Sequence, residues 1–184
     1  ELSSWLLRDL HDPQFDIAVV TNLLRDHMNY YSNMSLYRLD KERIFLGQTR
    51  QQFAVLNHHD PRVRMMAKKT KAKIKWFGEH VVTGTHLLGE HNRFNVGAAW
   101  QVGKLMGVSD IQLKRQIRSF QPLPNRLEIV RHYKGRTFVN DTTATTPDAT
   151  IAALFSFQKK AILIAGGNTK RLSLTAQKRL IPHH

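Results

Sequence analysis

Short apolar runs alternate with longer amphipathic segments along the chain, and this pattern predicts an α/β fold. Apolar runs rich in β-branched or aromatic residues predict strands at residues 16–21, 53–56, 73–77 and 161–165. Apolar positions at helical spacing predict helices at residues 35–47, 91–106 and 110–120. Asp60 followed by Pro61 predicts the start of a further helix. None of the apolar runs is long enough to predict a membrane-spanning helix.

A proline-rich connector divides the chain. Pro122 and Pro124 stop a helix and stiffen the backbone between them. We therefore predict one domain over residues 1–122 and the beginning of a second over residues 123–184.

The second part has its own order of elements. Strands are predicted at residues 127–133 and 136–140 around a tight turn, followed by a helix that Thr146 caps. Together with the predicted strand at 161–165, this order predicts a parallel α/β sheet. The loops at residues 141–145 and 166–170 would then lie at carboxyl ends of strands, where such sheets carry their chemistry.

The net charge of the chain indicates which kinds of partner it favours. The 184 residues include 28 Lys and Arg against 14 Asp and Glu, which gives a formal net charge of +14. This excess favours anionic partners, such as nucleotide phosphates, nucleic acid or a membrane surface. The densest basic run, residues 68–75, fits either a solvated face or an anion-binding patch. The sequence has no Cys, which excludes disulfides, thiolate metal sites and a cysteine nucleophile.

Lys41 occupies an apolar position of the predicted helix at 35–47. Tyr37, Lys41, Ile44 and Phe45 fall at i, i+4, i+7 and i+8, on one face. A lysine in such a stripe extends to solvent, pairs with an anion, or is buried or chemically altered. If it is buried, desolvation lowers its pKa and makes the neutral amine reactive.

His27 is a second candidate, because Asp26-His27-Met28 closely follows the predicted strand at 16–21. The end of a buried strand is a usual place for a ligand or an acid–base group. The alternative is an aspartate that caps a helix, next to a surface histidine.

Two other patterns are weaker. Gly97 and Gly103 lie one residue too far apart for a phosphate loop, and Leu105 stands where Ser or Thr would hold the metal, so we reject that motif. The pairs His58-His59 and His183-His184 are adjacent, and adjacent side chains point apart and rarely bind one ion.

The predicted helices 91–106 and 110–120 support one alternative function. They are joined by Gly107-Val108-Ser109, and the second helix carries Lys114, Arg115 and Arg118. A basic nucleic-acid-binding module of the helix-turn-helix kind has this arrangement, although plain helical hairpins are far commoner.

A series of short motifs runs in order along nearly the whole chain. They are Glu1-Leu-Ser-Ser-Trp5, Thr21-Asn22, Asp26-His27-Met28, Lys41-Glu-Arg-Ile-Phe45, Gly89-Glu-His-Asn92 with Asn95, Leu123-Pro124-Asn125-Arg126-Leu-Glu128, Asn140-Asp141-Thr-Thr-Ala-Thr145 and Gly166-Gly167-Asn-Thr-Lys170. This ordered set resembles the Mur ligase family, and within it the branch that adds D-glutamate.

The resemblance implies a fold and an activity. The chain would hold the second half of a P-loop-type central ATPase domain and the start of a Rossmann-like C-terminal domain. The whole enzyme would be a cytoplasmic, ATP-dependent, amide-forming ligase of peptidoglycan precursor synthesis. It would add D-glutamate to UDP-N-acetylmuramoyl-L-alanine through an acyl phosphate, as a monomer and without a membrane or nucleic-acid partner. The chain begins at Glu1 rather than Met and lacks the phosphate loop, so we expect a fragment that is inactive alone.

The resemblance also implies roles for individual residues. The implied ligands of Mg²⁺ are Glu1, His27 and a carbamylated Lys41. Of these, His27 and Lys41 would also be catalytic residues. Ser3 would lie beside the nucleotide-sugar substrate. The positions implied to face ATP are Asn92, Asn95, Arg126 and Asp141. Thr145 and Lys170 would face the incoming amino acid.

Two positions depart from the family pattern. The family usually has His where Asn125 stands, and commonly Lys where Thr143 stands. The resemblance implies that the loss of a cation at position 143 would affect the choice of amino acid or the contact with phosphate. These departures also support a third alternative, in which the protein is a paralogue that binds a nucleotide but does not catalyse the ligase reaction.

Overall fold

The computed structural model describes residues 1–11, 13–167 and 173–175. The chain forms two compact units, Glu1–Val81 with Arg93–Leu113 and Val82–Asn92 with Lys114–His184. The elements are α1 (Ser4–Asp9), β1 (Ile17–Val20), α2 (Met34–Glu42), β2 (Phe53–Asn57), α3 (Pro61–Met66), β3 (Lys73–Phe77), α4 (Glu90–Leu105), α5 (Asp110–Ser119), β4 (Glu128–Tyr133), β5 (Arg136–Asn140) and α6 (Pro147–Leu154). The domain boundary at residues 122 and 123 stays a prediction.

A parallel sheet forms the centre of the first unit, with the strand order β1-β2-β3. The centre of the middle strand is fully buried, because Ala54, Val55 and Leu56 are 0% exposed. A parallel strand that is buried on both faces reads as a continuous apolar run, which is why this sequence predicts β2 correctly. Their carboxyl ends lie at one edge of the sheet, which positions the loops that follow them. The predicted α/β fold is confirmed.

Gln48 joins the amino-terminal ends of β1 and β2. Its side-chain Nε2 donates to the carbonyl oxygens of Phe15 at 2.9 Å and Phe53 at 3.0 Å. The residue is only 3% exposed. The amide of Gln48 supplies hydrogen-bond donors to two backbone carbonyls that would otherwise be left without a partner when folding removes their water.

Asp60 fixes the opposite edge of the sheet. Its Oδ1 accepts from the backbone N–H groups of Arg62 at 2.8 Å and Val63 at 3.1 Å, which caps α3 at its predicted start. Its Oδ2 accepts from the backbone N–H of Leu23 at 2.8 Å. One carboxylate therefore connects the loop after β1 to the helix after β2.

Helix α4 packs closely on the sheet. Val55, Phe77 and Ala98 form a buried cluster against which Phe94, Val102 and other apolar side chains pack. At Gly97 the helix backbone approaches β3 so closely that an added Cβ would overlap the carbonyl oxygen of Gly78. The glycine that we excluded from a phosphate loop therefore serves helix packing.

The second unit contains an antiparallel hairpin, β4-β5, and helix α6, which Thr146 caps by accepting from the N–H of Ala149. These elements agree with the prediction. The strand predicted at 161–165 does not form, and the parallel sheet predicted for this part is absent from the described residues. Ile162 and Ile164 are 91% and 95% exposed. A strand needs a partner for its backbone groups, and β4 and β5 pair only with each other in the described structure.

Two further differences concern helices. Helix α1 was not predicted, because its six residues are too few for a clear apolar period. Helix α2 ends at Glu42 and continues as a 3₁₀ turn over Arg43–Phe45, short of the predicted end at residue 47. In the part of the chain that the structure describes, no helix has the length and apolar character needed to cross a bilayer.

The close approach at Gly97 predicts a large effect of one methyl group. Gly97→Ala should lower the free energy of unfolding by about 1–3 kcal/mol, because the Cβ forces α4 away from β3. Urea denaturation of the chain measures this change. Ala99→Ser, at an exposed position of the same helix, is the matched control and should change the stability much less. Equal effects of the two substitutions would contradict the packing.

Candidate active site

Helix α1 presents the segment Glu1–Ser4 to a cleft. Ser3 is the N-cap of this helix, and its Oγ accepts from the backbone N–H of Leu6 at 3.1 Å. At the other end, the guanidinium of Arg43 donates to the carbonyl oxygens of Leu7 at 2.9 Å and Leu10 at 3.1 Å. Arg43 follows α2 directly, so these bonds fix α1 against α2.

Lys41 extends from α2 into the same cleft. Its Nζ donates to the carbonyl oxygen of Leu2 at 3.2 Å and is partly buried. Burial lowers the pKa of Lys41, although the nearby carboxylates of Glu1 and Asp26 act in the opposite direction. The lysine on the apolar stripe is therefore half-buried and bonded to the backbone, with a larger neutral fraction than an exposed lysine.

Tyr37 lies one helical turn before Lys41 and also lines the cleft. It is 8% exposed, and burial raises its pKa to about 12, with a smaller effect from Asp26. The Nζ of Lys41 lies 6.0 Å from the centre of the Tyr37 ring. The phenol therefore stays neutral and forms an apolar wall beside the lysine.

His27 lines the cleft from the loop after β1. Its backbone has φ +57°, in the left-handed region, and its carbonyl oxygen accepts from the N–H groups of Tyr30 and Tyr31, each at 2.9 Å. Its Nε2 lies 3.3 Å from Oδ2 of Asp26. The Trp5 ring packs edge-on against the imidazole at 4.4 Å between centroids. The turn and the two neighbours hold the histidine ring in one place.

These elements together enclose a cleft of about 450 Å³. The lining residues are Glu1, Leu2, Ser3, Ser4, Leu6, Asp26, His27, Tyr37 and Lys41. The structure therefore brings together four residues that the sequence predicted as a site, from three separate segments. Sequence reasoning did not assign Asp26 or Tyr37 to the site. The signal for Tyr37 was its position four residues before Lys41 on the same helical face.

The donor set of this cleft determines which metal it fits. In residues 1–11, 13–167 and 173–175, no group of three His, Cys, Asp or Glu side chains is placed to hold a metal ion. Glu1 supplies a carboxylate and His27 an imidazole, whereas an unmodified Lys41 supplies no acceptor. With Lys41 converted to a carbamate, the set gains a second carboxylate-like group and fits a hard divalent cation such as Mg²⁺.

The residues predicted to face ATP lie on other elements. Asn92 is in the first turn of α4, and its Nδ2 donates to the carbonyl oxygen of Leu88 at 2.7 Å. Asn95 is exposed on the next turn of the same helix. Asn92 belongs to the second unit and Asn95 to the first.

The second unit carries the other predicted contacts in two loops. Arg126 precedes β4 and is exposed, and Asp141 follows β5, with its Oδ1 accepting from the N–H of Leu127 at 3.0 Å. Thr145 is exposed in the same loop as Asp141, directly before the cap of α6. Lys170 and the pair His183-His184 lie outside the described residues.

Comparison with known proteins identifies the fold. Residues 1–83, which contain the whole cleft, match the family description "Mur ligase middle domain". The chain is a relative of the Mur ligases. This agrees with the resemblance that the ordered motifs indicated.

Relatives of known name extend the match beyond the middle domain. The chain is 34% identical over its whole length to a UDP-N-acetylmuramoylalanine–D-glutamate ligase of Leuconostoc citreum, and spans 45% of that protein. It is 35% identical over 98% of its length to the ligase of the same name from Lawsonia intracellularis, and spans 41% of it. The chain thus spans less than half the length of these Mur ligases.

Solved structures show the same fold at lower identity. MurF from Acinetobacter baumannii superposes with a TM-score of 0.66 and 18% identity, over 78% of this chain and 38% of that one. MurF from Thermotoga maritima, solved in complex with ADP, gives a TM-score of 0.62 and 20% identity over 79% of this chain and 40% of that one. These relatives and structures do not favour the nucleic-acid-binding alternative.

The burial of Lys41 predicts an unusual pH dependence of its reactivity. Acylation by acetic anhydride requires the neutral amine, so the pH midpoint of labelling should lie below about 10.4, the value for a free lysine. Peptide mass spectrometry across pH measures the midpoint for Lys41 alone.

The matched control is the same residue in urea-unfolded chain, where the midpoint should return to the free value. The midpoint rather than the rate is compared, because partial burial also slows the reagent. A midpoint in the folded chain at or above the unfolded one would contradict the desolvated environment.

Proposed function

We propose that this chain is part of an ATP-dependent ligase that forms an amide bond between D-glutamate and UDP-N-acetylmuramoyl-L-alanine. The observation that carries the proposal is the cleft in which Glu1, Ser3, His27 and Lys41 meet, within the segment that matches the Mur ligase middle domain. The names of the relatives supply the substrates and the D-glutamate assignment.

In this proposal Lys41 carries a carbamate. Its neutral amine adds to the carbon of CO₂, a new N–C bond forms, and one proton leaves the nitrogen to solvent. The product is a carboxylate-like anion on a side chain that burial already makes nucleophilic. The carbamate would hold Mg²⁺ together with Glu1 and His27, and the ion would neutralise charge on phosphoryl oxygens.

The chemistry has two steps. A carboxylate oxygen of the nucleotide sugar attacks the γ-phosphorus of ATP, and the bond to ADP breaks. The neutral amine of the amino acid then attacks the acyl carbon, the C–O bond to phosphate breaks, an amide forms, and one amine proton passes to solvent as inorganic phosphate leaves. Positioning and charge stabilisation supply most of the catalysis in such phosphoryl transfers.

Ser3 is suited to orient the nucleotide sugar. Its Oγ already accepts the capping bond from Leu6, which fixes the rotamer and leaves the hydroxyl proton free to donate. A donor held by a helix cap stays aligned at no further entropic cost.

Arg126, Asp141, Asn92 and Asn95 are proposed to contact ATP. An exposed guanidinium suits phosphate oxygens, and the Oδ2 of Asp141 suits a ribose hydroxyl because Oδ1 is already bonded to Leu127. Thr145 and Lys170 are proposed to face D-glutamate, Lys170 as the partner of its carboxylate. The expectation of a cytoplasmic, monomeric enzyme stays a prediction, as does the inactivity of residues 1–184 alone.

The first test is phosphate release by the complete gene product. With ATP, Mg²⁺ and UDP-N-acetylmuramoyl-L-alanine, release should require D-glutamate and should not occur with L-glutamate or other amino acids. Lys41→Ala should lower kcat by at least about a hundredfold, because it removes the carbamate. Release that requires a different amino acid would keep the ligase activity and overturn the assignment of D-glutamate as the substrate. No release from the folded protein in any mixture would overturn the proposal.

The carbamate has a test that does not depend on activity. In ¹³CO₂-saturated buffer, the chain should give a carbamate ¹³C resonance that is absent from Lys41→Met. The signal should weaken as the pH falls, because protonation of the amine competes with addition of CO₂. A spectrum identical for the two proteins would contradict modification at Lys41.

A further inference from the structure

The loops that carry Arg126 and Asp141 are joined by a group of hydrogen bonds centred on Asn125. The carbonyl oxygen of Asn125 accepts from the N–H of Thr143 at 3.2 Å and from its Oγ1 at 2.7 Å. The Oδ1 of Asn125 accepts from Nδ2 of Asn140 at 2.8 Å. We call these three bonds the Asn125 clamp. Both departures from the family pattern, Asn125 and Thr143, are members of it.

The backbone of the first loop is held in a costly conformation. Asn125 has φ +63°, and Leu127 has φ +47°. Asparagine tolerates the left-handed region, whereas leucine adopts it only where its surroundings fix it. Leu127 is 6% exposed, and the N–H of Asn125 donates to Oε2 of Glu128 at 2.8 Å. The loop is therefore fixed by specific bonds and by one buried side chain.

Arg126 lies between two residues that are each bonded to the opposite loop. On one side is the Asn125 clamp, and on the other the N–H of Leu127 donates to Oδ1 of Asp141 at 3.0 Å. Among the described residues none pairs with the guanidinium of Arg126, which is exposed. The backbone on both sides of this cation is thus held at a set distance from Asp141, while its side chain stays free for a ligand.

We propose that Asn125 and Thr143 are positioning residues that fix the separation of Arg126 and Asp141 for nucleotide binding. The inference rests on the proposed function, since that assigns Arg126 and Asp141 to ATP. In this arrangement Thr143 acts through the backbone of Asn125, since its hydroxyl proton is donated there. Thr143 stands where the family commonly has Lys. Its hydroxyl keeps the loop ordered through the bond to Asn125, although the positive charge is lost.

The direct test compares Thr143→Val with Thr142→Val in the complete gene product. Thr143→Val keeps the side-chain volume and removes one bond of the clamp, whereas Thr142 is exposed and its hydroxyl is not part of the clamp. Thr143→Val should raise the Kd and the KM for ATP about fivefold, the effect of one lost hydrogen bond, with a smaller change in kcat. The KM for the nucleotide sugar should not change, and Thr142→Val should behave as the wild type.

Two substitutions at position 125 separate the backbone from the side chain. Asn125→Gly keeps the left-handed conformation and the carbonyl that accepts from Thr143, and it loses only the bond from Asn140. Asn125→Ala loses the same bond and adds backbone strain. ATP affinity should therefore fall in the order wild type, Asn125→Gly, Asn125→Ala.

Amide hydrogen exchange of the 184-residue chain provides a readout independent of ATP. The amides of Thr143 and Leu127 should exchange faster in Thr143→Val than in Thr142→Val. Unchanged exchange would overturn the clamp itself. Faster exchange with unchanged ATP affinity would overturn the positioning role and leave a purely structural one. If the wild-type gene product binds no ATP, the proposed function fails and the positioning role fails with it, while the exchange result still reports on the clamp.

Discussion

Parallel pairing of β2 with both of its neighbours is the constraint on which the first unit depends. The middle strand is completely buried over residues 54–56, so its backbone groups there need partners in β1 or β3, and a shift of one residue in register would turn the buried side chains to the other face. This pairing places the ends of all three strands at one edge. Asp60 then ties the loop after β1 to α3, and His27 follows a few residues later. The position of one ligand candidate is thus a consequence of sheet geometry.

The rest of the cleft depends on contacts between short helices. Arg43 bonds two carbonyl oxygens at the end of α1, and Lys41 bonds the carbonyl oxygen of Leu2 before that helix begins. Two basic residues from one stretch of chain therefore contact both ends of α1. The guanidinium of Arg43 is a charged donor to carbonyl oxygens, which makes its hydrogen bonds among the stronger ones, and partial burial shields them from solvent.

Apart from α1, the elements of the first unit were predicted from the sequence, because local and tertiary preferences agree there. The apolar run around Val55 and the Asp60-Pro61 cap each identify their element from a few residues. The partial burial of Lys41 could also be anticipated from the sequence, since this residue interrupts the apolar face of its helix. The cleft residue Asp26 was not assigned from sequence, because its proximity to Lys41 arises only when the loop after β1 meets α2. The prediction of a strand at 161–165 was wrong, because an apolar run cannot indicate whether a partner strand is present.

The left-handed backbone at His27 links the chemistry of one residue to its conformational cost. A non-glycine residue at φ +57° is strained, and glycine would relieve the strain while removing the imidazole. The substitution most favourable for the backbone is therefore among the most damaging to the site, and a β-branched residue would be unfavourable for both. A substitution at this position therefore meets two opposing demands, and random mutagenesis selected for stability alone would favour residues other than histidine.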